Sequence, residues 1–271
     1  MKKLVSLALA GLALALLPAP AMANEGQKVA KDVSYSFEGP FGTFDRQQLQ
    51  RGYKVYKEVC AACHSMKLVS FRNLSEASIF SEEQVKALAA TFTVKDGPND
   101  AGEMFDRPAL PSDHFPSPYA NDEAAKASFN GSLPPDLSLI TRSRPGWYGT
   151  FNQLFNGIGG PQYVYSVLTG YGETPPEGEA CPEGKSFNPY FAGGICIGMP
   201  QPLADGAVTF DDGAPNTADA MAKDVSAFLA WTADPKMEER KHLGFEVMVY
   251  LAALSILLYL VKKRVWANVA H

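Results

Sequence analysis

Two long apolar runs lie at the ends of the chain, and between them apolar positions recur at the spacing of amphipathic helices. The first run, residues 4–17, follows two lysines and precedes the small residues at 21–23, which is the order of a secretory signal peptide. We therefore predict that residues 1–23 are cleaved and that the mature chain starts at Asn24. An N-terminal membrane anchor is the alternative, but the apolar core is short and prolines interrupt its end.

The second apolar run, residues 243–261, is long enough to cross a bilayer as a helix and contains one charged residue, Glu246. Three basic residues at 262–264 follow it, and such residues mark the cytoplasmic side of a membrane span. Both ends thus predict one topology in a bacterial inner membrane. It consists of a periplasmic domain (24–240), a transmembrane anchor (241–264) and a cytoplasmic tail (265–271). A buried helix of a soluble domain is the alternative for this run.

Short helices dominate the segment between the two runs. Apolar residues recur at helical spacing behind Asp45, so residues 45–59 predict an amphipathic helix that ends at Cys60. Ser81 and Gln84 have the spacing of a capping box. Helices are predicted at 81–90, 122–129, 160–170 and 217–235, and the Pro-, Asp- and Gly-rich residues 95–119 predict a surface loop. The predicted fold is mainly α, with loops long enough to suggest that a large cofactor fills part of the interior.

The predicted exported domain is acidic. Residues 24–234 contain 26 Asp and Glu against 16 Lys and Arg, a formal charge of −10, twice the −5 of the whole chain. Such a surface disfavours nucleic acid and suits a basic protein partner.

The strongest chemical signal is a Cys-Ala-Ala-Cys-His motif formed by Cys60, Cys63, His64 and the two alanines between the cysteines. Two thiols at this spacing can each add to a vinyl group of haem, and the adjacent imidazole can bind the iron axially. The motif therefore predicts one covalently attached haem c with His64 as an iron ligand. The alternatives are a redox-active disulfide or half of a zinc site, which would need a second close pair of ligands.

A haem that transfers electrons needs a second axial ligand, and Met199 is favoured by its surroundings. It lies in a Gly-Met-Pro-Gln-Pro sequence, where prolines stiffen the backbone and reduce the entropy of presenting a side chain. An ordinary core methionine is the alternative. The other candidates lie too near Cys63, in polar loops, on or beside the last helix of the domain, or next to or beyond the membrane: Met66, Met104, His114, Met221, Met237, His242 and His271.

Several long motifs occur in the order found in one known family: FNGSLPPDLS at 129–138, RSR at 142–144, YVYSVLTGY at 163–171, FNPYF at 187–191, IGMP at 197–200 and FDDG at 210–213. Over nearly all of residues 35–265 the chain resembles the cytochrome c1 family, the haem subunit of the cytochrome bc1 complex. The resemblance implies a class I cytochrome c fold with long loop insertions and one C-terminal transmembrane helix.

The resemblance also implies roles for individual residues. Met199 matches the position of the sixth iron ligand. Arg144 and Tyr163 match residues that bind the haem propionates, and charge-assisted pairing gives Arg144 a physical reason, although a lone arginine is more often a solvated surface residue. The implied haem pocket consists of Asn130, Pro134, Pro135, Leu137, Arg144, Tyr163 and Leu168.

The function implied by the resemblance is electron transfer from a Rieske iron–sulfur protein to a soluble or anchored cytochrome c. Cytochrome b and the Rieske protein would be partners in a bc1 complex, expected to be dimeric, and the enzymatic activity would belong to that complex. A free-standing, membrane-anchored cytochrome c shuttle is the alternative. A haem enzyme such as a peroxidase would need an open coordination site, which a Met199 ligand would close.

Cys181 and Cys196 remain once Cys60 and Cys63 are committed to haem. Export to an oxidising compartment favours a disulfide between them, closing a loop of about fifteen residues. Two free buried thiols are the alternative.

Overall fold

The computed structural model describes residues 27–146 and 157–268 of the chain. The predicted signal peptide and the last three residues of the predicted tail lie outside this part. A mainly helical domain is followed by one long helix. Its helices are α1 (Arg46–Glu58), α2 (Asn73–Glu76), α3 (Glu82–Ala89), α4 (Asp122–Ser128), α5 (Ile140–Ser143), α6 (Gly160–Leu168), α7 (Ala218–Ala233) and α8 (Met237–Val265), and its strands are β1 (Thr93–Asp96), β2 (Phe105–Pro108), β3 (Ser186–Phe187) and β4 (Cys196–Ile197).

Local capping chemistry sets the ends of the main helices. Asp45 accepts hydrogen bonds from two backbone N–H groups at the start of α1. Ser81 and Gln84 form the predicted capping box of α3, and Thr217 caps α7. Pro161 occupies the first turn of α6, where its missing N–H costs nothing. The five predicted helices of the domain are confirmed, with ends that shift by one or two residues.

The core forms where α1 crosses α7. A Cβ atom on Gly52 would lie 2.2 Å from the carbonyl oxygen of Asp224 and 2.7 Å from Cβ of Phe228, so only glycine allows this approach of the two helices. Arg51 closes the crossing with a 2.7 Å bond from its Nε to the buried Asp224 carboxylate. The fully buried side chains around the crossing include Leu49, Val55, Met221, Val225, Phe228 and Trp231. This crossing fixes the direction in which α1 delivers Cys60.

The prediction that residues 95–119 form a surface loop is wrong for its first half. Strands β1 and β2 pair there as an antiparallel hairpin, with Val94 opposite Arg107. The hairpin was missed because its residues are largely exposed and lack an apolar alternation. Arg107 stabilises it by pairing with Asp96 and with Asp113, and these bonds hold the pKa of both carboxyl groups below their usual values.

Helix α8 is 29 residues long and, within the described part of the chain, is the one helix long and apolar enough to cross a bilayer. Its first turns are bound to the domain. Glu238 accepts hydrogen bonds from the Phe44 N–H (2.7 Å) and from Arg46 (2.8 Å), and the Lys241 ammonium donates to the carbonyls of Phe37 (2.6 Å) and Gly42 (3.2 Å). The helix therefore leaves the domain in a defined direction.

Candidate haem-binding site

The two thiols of the Cys-Ala-Ala-Cys-His motif lie on one turn of 3-10 helix directly after α1. The N–H groups of Cys63 and His64 both donate to the Cys60 carbonyl, at 3.1 and 2.9 Å, and this tight turn brings the thiols and the imidazole together. Both cysteines are free. Burial raises the pKa of Cys60 to about 12, with a smaller contribution from Cys63, so its thiol is neutral at physiological pH. A neutral, half-buried thiol is unsuited to disulfide exchange.

The imidazole of His64 is oriented by a backbone carbonyl. Its Nδ1 lies 2.8 Å from the Pro135 oxygen, and because a carbonyl only accepts, the proton is on Nδ1 and the lone pair of Nε2 is left for a metal. Burial lowers the pKa of His64, although the hydrogen bond to Pro135 and the nearby Asp136 oppose this. The ring is therefore neutral, as an iron ligand must be.

Asp136 fastens the turn that follows His64 to the segment containing Pro135. Its carboxylate accepts from the Ser65 hydroxyl (2.7 Å), the Lys67 N–H (2.8 Å) and the Ser138 N–H (2.9 Å). Burial disfavours the charged carboxylate, but these hydrogen bonds outweigh burial and lower the pKa of Asp136. The Leu137 N–H adds a 2.8 Å bond to the Ser65 carbonyl. The histidine is thus held between two mutually bonded segments.

The same segment, residues 130–138, also contacts the chain around Met199. A Cβ on Gly198 would lie 2.9 Å from the Ser132 hydroxyl oxygen, so the residue before Met199 packs closely on this segment. The Asn130 amide lies 3.8 Å from the corresponding position on Gly184. Asn130 and Gly131 both have positive φ, at 50° and 83°, which turns the chain sharply after α4. One segment therefore touches the surroundings of both predicted iron ligands.

Three contacts restrain the segment that carries Met199. The Phe187–Cys196 pair joins β3 to β4, the Cys181–Cys196 disulfide is formed as the sequence analysis expected, and the Tyr171 hydroxyl donates to the Met199 carbonyl at 2.9 Å. Burial raises the pKa of Tyr171 far above its usual value, so the hydroxyl keeps its proton and remains a donor. The Met199 side chain is half-buried against the core.

The rival ligands lie elsewhere. Met66, Met221 and Met237 are buried core residues, Met104 is 59% exposed near the start of β2, and His114 and His242 are exposed. His271 lies outside the described residues.

The predicted pocket residues are only partly brought together. Leu137 and Tyr163 are buried, and Leu168 and Pro134 are half-buried, whereas Asn130 and Pro135 are exposed. Arg144 is also exposed, and its guanidinium donates to the Ser143 carbonyl at 3.2 Å. Two residues further on, a Cβ on Gly146 would lie 3.2 Å from the backbone nitrogen of Tyr163, which places Gly146 beside the start of α6.

Sequence reasoning missed the roles of Asp136, Ser65 and Tyr171. Asp136 lies within the quoted Pro-Pro-Asp-Leu-Ser motif, and a short polar residue after two prolines is a signal for side-chain-to-backbone bonding. The sequence carries no comparable signal for Tyr171, because its partner is 28 residues away.

The available ligands fit a covalently bound haem. Two free thiols and a neutral histidine lie on one turn, and the chain that carries the restrained Met199 packs on residues 130–138. With the mainly helical fold, these features define a c-type cytochrome on a membrane tether. The Cytochrome C1 family model matches residues 35–269, and the chain belongs to this family.

Curated relatives agree with the family match. The chain is 50% identical over 277 residues to "Cytochrome b/c1" of Bradyrhizobium diazoefficiens, covering 96% of this chain but 40% of that protein. It is 43% identical to "Cytochrome c1" of Rhodospirillum rubrum, covering 98% of this chain and 97% of the relative. It is 47% identical to "Cytochrome c1" of Cereibacter sphaeroides, covering 96% and 94%. Family membership implies a covalently bound haem c and an electron-transfer role in a bc1-type complex.

Proposed function

We propose that this chain is the haem c subunit that accepts one electron from a Rieske iron–sulfur protein and passes it to a cytochrome c. The observation that carries the proposal is the position of residues 130–138. The Pro135 carbonyl in this segment accepts a hydrogen bond from Nδ1 of His64. Ser132 in the same segment packs against Gly198, the residue before Met199. An imidazole and a thioether that both bound the iron would leave no coordination site open for a substrate, which favours electron transfer over a haem enzyme.

The proposed roles of the chain's residues follow from their chemistry. Cys60 and Cys63 would attach one haem through their thiols, and His64 and Met199 would supply the two protein ligands of its iron. When bound, haem c supplies a one-electron redox centre. The Pro135 carbonyl would keep the proton on Nδ1 of His64 and so leave Nε2 free for the iron, and the Met199 thioether would favour ferrous iron and raise the potential.

The remaining predicted residues form the walls of the pocket. Leu137, Pro134 and Leu168 are buried or half-buried and would shield the site from water, whereas Asn130 and Pro135 are exposed and would contact the haem from the surface. Arg144 and Tyr163 lie near the start of α6, where a guanidinium and a phenol can bind the propionates.

The proposed topology follows from the two apolar runs. Residues 1–23 are removed on export, 24–240 lie in the periplasm, 241–264 cross the inner membrane and 265–271 remain in the cytoplasm. The exposed apolar surface of α8 is a packing surface for cytochrome b within a dimeric bc1 complex. A C-terminal green fluorescent protein fusion tests the topology, since it should fluoresce only if the C-terminus stays in the cytoplasm.

Purification of the affinity-tagged full chain from native membranes in mild detergent tests the function. We expect co-purification of b-type haem and a Rieske cluster, one haem c per chain, and quinol-dependent reduction of that haem. A preparation that contains haem c alone, with no b-type haem under several detergents, would instead support the free-standing shuttle.

A further inference from the structure

Met199 lies in a stretch of chain that regular backbone hydrogen bonding cannot hold. Pro200 and Pro202 follow it and have no N–H groups, so neither can donate to a neighbouring strand. The nearest paired strand, β4, ends at Ile197. Restraint of the Met199 backbone must therefore come largely from side chains.

Tyr171 supplies such a restraint, and its own position is well fixed. It follows α6, whose Val164 and Val167 are buried in the core. A Cβ on Gly170 would lie 2.6 Å from the Tyr190 ring and 2.8 Å from the Asn188 side-chain oxygen, so the turn before Tyr171 is closely packed. The turn that carries Tyr171 is therefore rigidly placed.

Hydrogen bonds of Asn188 further restrain this turn. It is fully buried, and its amide donates to the Val167 carbonyl at 2.8 Å near the end of α6. Its backbone N–H donates to the Ile195 carbonyl, also at 2.8 Å, just before β4. The end of α6 and the start of the Met199 segment are thus joined through one buried residue, by its side chain and its backbone N–H.

From this rigid turn the Tyr171 hydroxyl reaches the Met199 carbonyl at 2.9 Å. We propose that Tyr171 is a positioning residue for Met199, holding the backbone so that the thioether stays directed at the iron. This proposal rests on the proposed axial role of Met199. The disulfide restrains the same segment three residues earlier, at Cys196, whereas Tyr171 acts on the ligand residue itself.

The test is the Tyr171→Phe variant of the full chain, purified with its haem. Tyr165→Phe is the matched control, because Tyr165 is also half-buried and its hydroxyl bonds to Asp219, away from the Met199 segment. We expect Tyr171→Phe to keep its covalent haem. Loss of one neutral hydrogen bond should raise the ferrous fraction that binds carbon monoxide by about two- to tenfold. The potential should fall and imidazole should bind the ferric form faster, while the control resembles the wild type.

A Met199→Leu, Tyr171→Phe double variant separates ligand positioning from general destabilisation. If Tyr171 acts through Met199, removing its hydroxyl should change neither carbon monoxide binding nor potential once the thioether is absent. A further drop as large as in the wild-type background would overturn the proposal. The proposal would also be overturned if Tyr165→Phe changed carbon monoxide binding and potential as much as Tyr171→Phe does.

Met199→Leu alone distinguishes the two levels of failure. If it opens the iron to carbon monoxide and Tyr171→Phe leaves coordination unchanged, the Tyr171 proposal is wrong and the proposed function stands. If Met199→Leu leaves the iron closed, the ligand assignment fails, and the Tyr171 proposal fails with it.

Discussion

Asp136 is a charged residue that fastens the turn after His64 to the segment that contains Pro135. Three donors converge on its carboxylate, two of them from the turn after His64. Replacing it with Asn removes the charge and weakens these bonds, and we expect a loss of about 1–2 kcal/mol in the free energy of unfolding. Urea unfolding followed by haem absorbance measures this loss. Asp122→Asn is the control, because Asp122 also faces Lys67 but through an exposed pair at 3.7 Å.

The effect of Asp136→Asn should depend on pH in a defined direction. The folded protein holds the pKa of Asp136 below its ordinary value, so its stabilisation is complete above the ordinary value and is lost as the pH falls through the folded one. Wild type and variant should therefore differ most near neutral pH and converge in strong acid. A difference that persists unchanged in acid would show that the charge of Asp136 is not the cause.

Met199 itself is tested by replacement with Leu. The haem should remain attached, since Cys60 and Cys63 are untouched, while the ferrous iron binds carbon monoxide and the potential falls. Met104→Leu is the control, because Met104 is 59% exposed near the β1–β2 hairpin tip. Unchanged spectra and potential in Met199→Leu would reject it as a ligand.

Residues whose chemistry depends on short spacing could be predicted from the sequence. The separation of Cys60, Cys63 and His64 alone predicts haem attachment and one iron ligand, and the prolines that follow Met199 favour it as the second; these roles stay predictions. The bonds of Asp136 to Ser65 and Lys67 and of Tyr171 to Met199 could not be predicted, because these partners lie 69–71 and 28 residues away and only the folded chain brings them together. Local motifs can therefore be recognised in the sequence, whereas supporting contacts between distant residues cannot.

Among the elements, helices with a strong local start signal could be predicted, and the exposed hairpin could not. The capped helices α1, α3 and α7 each begin at a residue whose side chain accepts a backbone bond. Strands β1 and β2 lack an apolar face, so their pairing depends on Arg107 and its two carboxylate partners.

The loop closed by Cys181 and Cys196 is an element whose removal can be tested. A Cys181→Ala, Cys196→Ala variant should keep its haem but lose about 3 kcal/mol of stability on a chain-entropy estimate. It should also show a lower potential or partial carbon monoxide binding, because Cys196 lies three residues before Met199. If iron coordination is unaltered in this variant, the disulfide stabilises the loop but does not restrain Met199.

The junction between α7 and α8 is tested by two truncations. A chain that stops after His242 keeps Met237, Glu238 and Lys241, and it should be a soluble haem protein. A chain that stops after Pro235 loses the burial of Met237 and both sets of polar bonds, and its free energy of unfolding should fall by about 2–4 kcal/mol. Equal stability of the two forms, measured by urea unfolding, would show that the start of α8 contributes nothing to the domain.

At the scale of the whole molecule, the formal charge of −10 on residues 24–234 is expected to affect how the domain meets the proposed acceptor. Electron transfer to a basic cytochrome c should slow as ionic strength rises, because exposed charges are screened within about 10 Å at roughly 0.1 M salt. Stopped-flow rates measure this dependence, and an acidic acceptor should show the opposite trend. Rates that stay flat with the basic acceptor would indicate apolar docking.

Under the proposed function, we expect acidic residues on the loop next to the Met199 segment to contribute most to this effect. Glu177 and Glu183 are exposed on the loop that Tyr171 begins and the disulfide closes. Changing both to Gln should reduce the salt dependence more than changing Glu82 and Asp100, which lie on α3 and the β1–β2 hairpin.

The bonds from Glu238 and Lys241 to residues 37–46 have a consequence for how electrons are relayed under the proposed function. Because the first turns of α8 are fastened to the domain, a membrane-spanning α8 would fix the direction of the domain relative to the bilayer. The domain would then not be free to rotate about its anchor between an electron donor and an acceptor. Under the proposed function the chain would act as a stationary relay, and its donor and acceptor would have to move to reach it.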